Sequence, residues 1–235
     1  MPGSSIKGKE QIAKWYKAVG NKRYILDVGP GWGTYSKMLR SGNERWHAVE
    51  IHKKYIERFN LNKYYDKIYI ADIRSFKPKE MYDIIICGDV IEHITNEQAK
   101  NVLRKLLDHT SYLIISLPLD AETHAPRGTG DIDWGNPHEL HSGLWSNKMF
   151  ISTIIDINGD IIALEKYSEL AIYLIKNSQS KLPINMFSEK LYNQILKRKI
   201  YNSIEEKPSI FRGGVGRLVA VAVACKKRFL DRYVK

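Results

Sequence analysis

Short apolar runs alternate with amphipathic stretches along most of the chain. Runs rich in β-branched and aromatic residues predict five buried strands, and the stretches between them predict helices. Strands that alternate with helices pair in parallel through right-handed crossovers, so this order predicts an α/β fold with helices on both faces of a sheet. The predicted strands are residues 24–29, 46–51, 67–72, 82–89 and 112–118, and the predicted helices are 9–19, 34–40, 53–60, 95–109 and 144–157. The fourth helix begins at a capping box formed by Thr95 and Gln98.

The pattern stops after the fifth strand. Residues 119–142 are rich in Gly, Pro and Asp, and we expect 119–146 to form a lid loop that contacts a substrate. Two further strands are predicted within 160–176, and another helix over 187–200. We therefore divide the chain into an N-terminal helix (1–22), a core (23–177) and a C-terminal extension (178–235).

Positive charge is concentrated in the extension. The chain carries a formal net charge of +11, and residues 178–235 hold 13 Lys/Arg and 4 Asp/Glu, which gives +9 there and +2 elsewhere. The extension is therefore the candidate contact for RNA or for an acidic membrane surface. Its apolar run 218–225, followed by Lys-Lys-Arg, fits a helix on a membrane surface or an element buried against the core, and we favour burial.

Cysteine usage and hydropathy predict a cytoplasmic protein, with association at the periphery of a membrane as an option. Cys87 and Cys225 show neither disulfide nor zinc-ligand spacing, and the N-terminus lacks the apolar core of a signal peptide. No apolar run reaches the roughly 20 residues of a membrane-spanning helix, so we expect no transmembrane segment.

The most informative segment is DVGPGWGTYS, residues 27–36. Glycines at 29, 31 and 33 let the backbone turn tightly behind a strand and let a ligand approach main-chain N–H groups. Glu50 ends the second strand 17 residues after Gly33, where a carboxylate can accept hydrogen bonds from ribose hydroxyls. These features predict a nucleoside-containing cofactor at the carboxyl ends of parallel strands. The spacing lacks the third glycine of G-x-G-x-x-G, which disfavours NAD(P).

Four segments of the chain, taken in order, resemble the class I S-adenosylmethionine-dependent methyltransferases. The resemblance is to the small-molecule branch that includes ubiquinone-biosynthesis-like enzymes. The segments are DVGPGWGTYSKML, AVEI, IADI and DIIICGDVIEHI. The resemblance covers residues 20–177. It implies a Rossmann-like, seven-stranded, mostly parallel sheet whose last strand is antiparallel, with 160–176 completing it. It also implies S-adenosyl-L-methionine as the cofactor.

The resemblance assigns roles to individual residues. Asp27 and the backbone of the glycine loop would hold the methionine part of the cofactor, Glu50 its ribose and Asp72 its adenine. Gly88 and Asp89 would lie near the sulfonium, although Asp89 is also placed to cap the next helix. The full expected set of cofactor-binding residues is Asp27, Gly29, Pro30, Gly31, Trp32, Gly33, Glu50, Ile51, Asp72, Ile73, Gly88, Asp89 and His93.

Methyl transfer from a sulfonium is an in-line displacement, and a hydroxyl acceptor gains from a nearby base. His138 and His141 follow the fifth strand, and we expect one of them to serve as the base or to contact the substrate. The alternative is that both histidines hydrogen-bond the loop backbone.

A metal alternative combines Asp89, Glu92 and His93 with either His138 or His141. Some terminal-ribose RNA methyltransferases hold magnesium with Glu-x-x-Glu-His and a distant His, but Asp89 departs from that pattern, so we expect no metal.

The methyl acceptor is expected to be a small molecule, sugar or lipid-linked intermediate that is methylated on oxygen. The sequence after the fourth strand is GDVI rather than (Asp/Asn)-Pro-Pro-(Tyr/Phe), which argues against methylation of exocyclic base amines. Two alternatives remain open. One is an RNA methyltransferase that uses the basic extension, and the other is a non-catalytic methyltransferase-like binding subunit.

Overall fold

The computed structural model describes residues 6–123 and 135–184. Within them, seven strands form one sheet in the order β3-β2-β1-β4-β5-β7-β6. The strands are β1 Tyr24–Val28, β2 Arg45–Glu50, β3 Lys67–Ile70, β4 Tyr82–Gly88, β5 Thr110–Pro118, β6 Gly159–Lys166 and β7 Leu170–Asn177. The first five pair in parallel, and β7 runs antiparallel to both of its neighbours, β5 and β6. The predicted seven-stranded, mostly parallel sheet with one antiparallel strand is confirmed.

Helices cover both faces of the sheet, as predicted. They are α1 Lys9–Ala18, α2 Thr34–Leu39, α3 Lys53–Arg58, α4 Asn96–Asp108, α5 Asp120–Thr123 and α6 Asn147–Asp156. Side chains of α4 and α6 pack into one hydrophobic cluster, and those of α1, α2 and α3 pack into the other. Successive residues of β4 enter opposite clusters, with Ile85 and Cys87 on one face and Ile84 and Ile86 on the other. This strand is therefore apolar throughout because both of its faces are buried.

Local capping decides where two of the predicted helices begin. The side chain of Thr95 accepts a hydrogen bond from the backbone of Gln98, whose own side chain accepts one from the backbone of Thr95, so the predicted capping box is confirmed. The predicted helix over 144–157 begins later, at Asn147, because the side chain of Ser146 accepts from the backbone N–H of Met149 and acts as the N-cap.

The predicted lid loop is only partly described. Its first residues form the one-turn helix α5, which the sequence pattern did not predict. Residues 124–134 of the lid, the predicted helix over 187–200 and the run 218–225 lie outside the described residues. None of the helices in the described part of the chain is long and apolar enough to cross a membrane.

The topology determines where a ligand can bind. β1 is the third strand of the sheet, with β2 on one side and β4 on the other, so the chain changes direction across the sheet at this point. Crevices at the carboxyl ends of strands beside such a switch point are the usual ligand sites of open α/β sheets. The glycine loop follows β1 directly and therefore lies at the edge of this crevice.

Candidate active site

A cavity of about 660 Å³ opens at the carboxyl ends of β1 to β5. Its volume falls in the range of small-molecule and cofactor sites. Most of the residues that the sequence predicted for the site line this cavity together. They are Gly29, Pro30, Gly31, Glu50, Ile51, Asp72, Ile73, Gly88, Asp89, His93, His138 and His141. Residues spread over more than 110 positions of sequence thus meet in one place.

The glycine loop is held tightly against the end of β2. The backbone N–H of Gly29 donates to the carbonyl of Val49 at 2.9 Å, and that of Gly33 donates to Pro30 at 2.7 Å. Gly29 has a φ of +64°, and a Cβ at this position would lie 2.5 Å from a methyl of Val90. A side chain is therefore excluded by both the backbone conformation and the available space. The loop exposes main chain to the cavity at Gly29 and Gly31.

Two carboxyl groups flank this loop, and burial raises the pKa of each. Glu50 accepts from the backbone N–H of His52 at 2.8 Å, and burial raises its pKa to about 7. Asp27 is fully buried beneath the loop, and its Oδ2 accepts from the hydroxyl of Tyr65 at 2.6 Å. Burial raises the pKa of Asp27 to about 7, against the opposing effects of the Tyr65 hydrogen bond and the positive charge of Lys9. Its Oδ1 has no hydrogen-bond partner among the described residues.

Asp72 follows β3 and Gly88 ends β4, and both line the cavity. The carboxylate of Asp72 accepts from the guanidinium Nε and the backbone N–H of Arg74, and the hydrogen bonds from this side chain hold the pKa of Asp72 below its usual range. Tyr35 packs closely over Gly88, because a Cβ there would lie 2.4 Å from the Tyr35 hydroxyl. A larger residue at position 88 would displace this ring.

Asp89 does not cap a helix. It has a φ of +53°, and its Oδ1 accepts from the hydroxyl of Ser116 at 2.8 Å. The short 3-10 turn Ile91–His93 that follows has no side-chain cap, and α4 is capped by Thr95. The capping alternative for Asp89 is therefore wrong, because its side chain is turned towards the end of β5.

Three predicted site residues do not line the cavity. Asp27 lies beneath it, as described above. Gly33 lies at the start of α2, where its φ of +72° turns the chain into the helix. The ring of Trp32 lies outside against Phe59, with centroids 6.2 Å apart and 41% of the residue exposed. The loop turns away from the cavity after Gly31, and for this reason Trp32 and Gly33 do not line the cavity.

His141 is fixed by contacts on both sides. Its Nδ1 donates to Oδ2 of the buried Asp120 at 2.5 Å. The next two backbone N–H groups, of Ser142 and Gly143, donate to the carbonyl of Glu92 at 2.8 and 2.9 Å. Among the described residues, the Nδ1 of this histidine therefore bonds a carboxylate and not the loop backbone. His138 is exposed, and its backbone N–H donates to the side chain of Asn136.

Glu92, His93 and His141 form a compact group of potential ligands at the base of the cavity. One donor atom from each lies within 4.8 Å of the others, and the two imidazole rings are 5.0 Å apart. Glu92 is 1% exposed, and neither of its carboxylate oxygens has a hydrogen-bond partner in the described part of the chain. Burial raises the pKa of Glu92 well above its usual range and lowers the pKa of His93.

Comparison with known proteins assigns the domain. Residues 25–111 match the family model described as "Methyltransferase domain", and this match contains the glycine loop, Glu50 and Asp89. The match covers 87 of the 235 residues. The chain is also 27% identical over 109 residues to an uncharacterized protein, MJ0638, of Methanocaldococcus jannaschii. That match spans 45% of this chain and 46% of the relative, so the chain covers about half the length of this curated relative.

Solved methyltransferase structures share the fold of this domain. Magnesium protoporphyrin IX methyltransferase from Synechocystis PCC 6803, with bound S-adenosylmethionine, is 17% identical with a TM-score of 0.54, covering 72% of this chain and 77% of that one. An S-adenosylmethionine-dependent methyltransferase from Clostridium acetobutylicum is 12% identical with a TM-score of 0.55, covering 72% and 88%. The small RNA methyltransferase HEN1 is 20% identical with a TM-score of 0.56, covering 78% and 27%.

The predicted resemblance to class I S-adenosylmethionine-dependent methyltransferases is confirmed over residues 25–111 by the family model, and the predicted fold is confirmed by the solved structures. The ubiquinone-biosynthesis-like branch and the roles of individual site residues stay predictions. Two residues that contact predicted site residues, Tyr65 and Asp120, were not predicted from the sequence. Tyr65 reaches Asp27 across 38 residues and Asp120 reaches His141 across 21, and no local pattern signals such contacts.

Proposed function

We propose that this protein transfers the methyl group of S-adenosylmethionine to a hydroxyl group of a small molecule. One observation carries the proposal. A single cavity is lined by the glycine loop, Glu50 and His141, and His141 is hydrogen-bonded to Asp120. The first two features suit the cofactor, and the third suits the activation of a hydroxyl acceptor.

The residues of the cavity fit this cofactor. The absence of a Cβ at Gly29 and Gly31 leaves main-chain groups accessible to the methionine part, and the unpartnered Oδ1 of Asp27 beneath the loop can receive its ammonium group. Glu50 can accept hydrogen bonds from the ribose hydroxyls, and Asp72 can accept from the adenine amino group. When bound, the cofactor supplies the activated methyl group.

His141 is the residue best placed to activate the acceptor. Because its Nδ1–H is donated to Asp120, the ring is held in the tautomer that leaves the lone pair on Nε2. A carboxylate that orients a histidine in this way is a recurring arrangement in enzymes that activate hydroxyl groups. His138 lines the same cavity without such a partner and is the natural comparison.

The test compares His141→Gln, Asp120→Asn and His138→Gln. Binding of S-adenosylhomocysteine is measured by calorimetry, and turnover is measured as S-adenosylhomocysteine release with a panel of hydroxyl compounds. We expect all three variants to bind the cofactor product, and we expect His141→Gln to lose at least about a hundredfold in turnover, as for loss of a general acid–base group. Full turnover in His141→Gln, with cofactor binding intact, would refute the role of His141.

A second candidate acceptor is RNA. It is favoured by the fold likeness to the small RNA methyltransferase HEN1 and by the net charge of +9 on residues 178–235. RNA binding through this extension would be salt-sensitive, since counterions are released when lysine and arginine contact phosphates. Replacing Lys226, Lys227 and Arg228 with glutamine in the full-length chain would weaken such binding. Salt-independent RNA retention, unchanged by these substitutions, would exclude this candidate.

A further inference from the structure

We propose that Glu92, His93 and His141 bind a divalent cation of the Mn²⁺, Fe²⁺, Co²⁺ or Zn²⁺ class, and that its open coordination positions face the methyl acceptor. The sequence analysis expected no metal. The proposal rests on where the structure puts these three side chains and on which of their atoms remain free.

The strongest observation is the carboxylate of Glu92. Both of its oxygens are buried without a hydrogen-bond partner among the described residues, and yet the residue lines the cavity. A buried carboxylate that lacks protein partners is costly unless it is paired with a cation or coordinates a metal. Donor atoms of His93 and His141 lie within 4.8 Å of it, so a cation between the three groups would satisfy these oxygens.

The hydrogen bonds of the two imidazoles leave one nitrogen of each ring without a partner in the described part of the chain. The Nδ1 of His141 donates to Asp120, and the Nδ1 of His93 donates to the carbonyl of Leu140 at 3.4 Å. Each ring therefore has its lone pair on Nε2. Histidines that ligate metals usually donate their second nitrogen to a carboxylate or a backbone carbonyl, and both kinds of partner are present here.

The backbone around the site is fixed independently of these side chains. The segment that contains His141 is bonded to the end of the Ile91–His93 turn through Ser142 and Gly143. The side chain of Asn96 then bonds both the N–H and the carbonyl of Leu144, at 3.2 and 2.9 Å. The three donors therefore sit on two segments that are fastened together, which is what a preformed metal site requires.

The donor set indicates the class of metal. One carboxylate and two imidazoles suit the borderline first-row cations better than Mg²⁺ or Ca²⁺, which prefer oxygen ligands throughout. The site also differs from the metal alternative drawn from the sequence. Asp89 bonds Ser116 and is not a member of the cluster, and His141 rather than His138 supplies the distant nitrogen. Three protein ligands leave positions for an oxygen of the acceptor.

This step rests on the proposed function. If that function is correct, the cation would bind the acceptor hydroxyl and lower the pKa of this hydroxyl. The hydroxyl proton passes to solvent, the new oxygen–carbon bond forms, and the carbon–sulfur bond of the cofactor breaks to leave neutral S-adenosylhomocysteine. With the cation bound, the Nε2 of His141 is a metal ligand and no longer the base that accepts the hydroxyl proton, and Asp120 is a positioning residue for this ligand.

Metal binding is tested on the full-length protein without cofactor or acceptor. Mn²⁺ is titrated, and the free ion is followed by its electron paramagnetic resonance signal in the wild type and in Glu92→Gln, His93→Gln and His141→Gln. His138→Gln is the matched control, because it removes a histidine from the same cavity outside the cluster. Melting temperatures measured without metal identify any variant that fails to fold. S-adenosylhomocysteine binding is measured separately.

We expect one Mn²⁺ per chain in the wild type and in His138→Gln, and at least about tenfold weaker binding in the three ligand variants. Asp120→Asn keeps all three ligands and should weaken binding by about tenfold through loss of the orienting carboxylate. No binding by the wild type at millimolar Mn²⁺, or equal loss in His138→Gln and His141→Gln, would overturn the metal site. In either case S-adenosylhomocysteine could still bind, and the proposed function would stand. Conversely, absence of S-adenosylhomocysteine binding would overturn the proposed function and would leave the metal result intact.

Discussion

Lowering the pH from 8 to 6 should weaken cofactor binding, because two buried carboxyl groups must be ionised to bind it. Burial raises the pKa values of Asp27 and Glu50 to about 7 in the cofactor-free protein. Only carboxylates can pair with the ammonium group of the cofactor or accept from both ribose hydroxyls. Affinity should therefore approach its full value at about pH 8 and fall as the pH drops through 7, with proton release on binding at pH 6.

The magnitude follows from the two pKa values. A group with a pKa of 7 is about nine-tenths ionised at pH 8 and about one-tenth ionised at pH 6, so each group should weaken binding by about tenfold over this range. If both must be ionised, the loss approaches about a hundredfold. Glu50→Gln should bind more weakly at pH 8 and retain only the smaller pH dependence that comes from Asp27.

The assay is calorimetric titration with S-adenosylhomocysteine at pH 6, 7 and 8, in buffers of different ionisation enthalpy so that released protons are counted. Glu57→Gln is the matched control, because Glu57 is an exposed carboxylate on α3. It should keep both the affinity and the pH dependence of the wild type. Equal affinity at pH 6 and pH 8 with no proton release would refute the reasoning, because the two carboxyls would then play no part in binding.

Three further predictions concern single substitutions. Gly29→Ala should abolish S-adenosylhomocysteine binding in calorimetry, because its Cβ would lie 2.5 Å from Val90 at a φ of +64°, and unchanged affinity would contradict this geometry. Tyr65→Phe removes the hydrogen bond that favours ionised Asp27, so the pH midpoint of cofactor binding should rise. An unchanged midpoint would contradict the role of this contact. Thr95→Ala removes the capping box of α4 and should lower the free energy of unfolding by about 1 kcal/mol in urea titration, and no change would show that the cap is not stabilising.

The sheet could be predicted from the sequence because its signals are local. Five apolar strands alternate with amphipathic helices, and the Thr95 capping box lies within four consecutive residues. The carboxyl ends of parallel strands lie on one edge, so Glu50 was placed by its strand end, and Asp72 and Gly88 were placed by the family resemblance; all three line one cavity. The helix α5 was not predictable in this way, since it is a single turn in a segment rich in Asp and Pro.

The contacts that define the chemistry were not predictable from local patterns. The orientation of His141 depends on Asp120, and the choice between His138 and His141 depends on which one turns towards His93. The clustering of Glu92, His93 and His141 depends on the backbone hydrogen bonds that fasten residues 142–144 to the turn after β4. The first of these contacts joins residues 21 positions apart, and the others join segments about 50 positions apart. No sequence feature of one segment specifies the other.

The central claim is that the crevice around the glycine loop holds S-adenosylmethionine, and calorimetry at pH 8 tests it most directly. S-adenosylhomocysteine should bind the full-length protein at one site, Glu50→Gln should weaken that binding strongly, and NADH should neither bind nor compete. Absence of S-adenosylhomocysteine binding, together with binding of NADH, would contradict the claim.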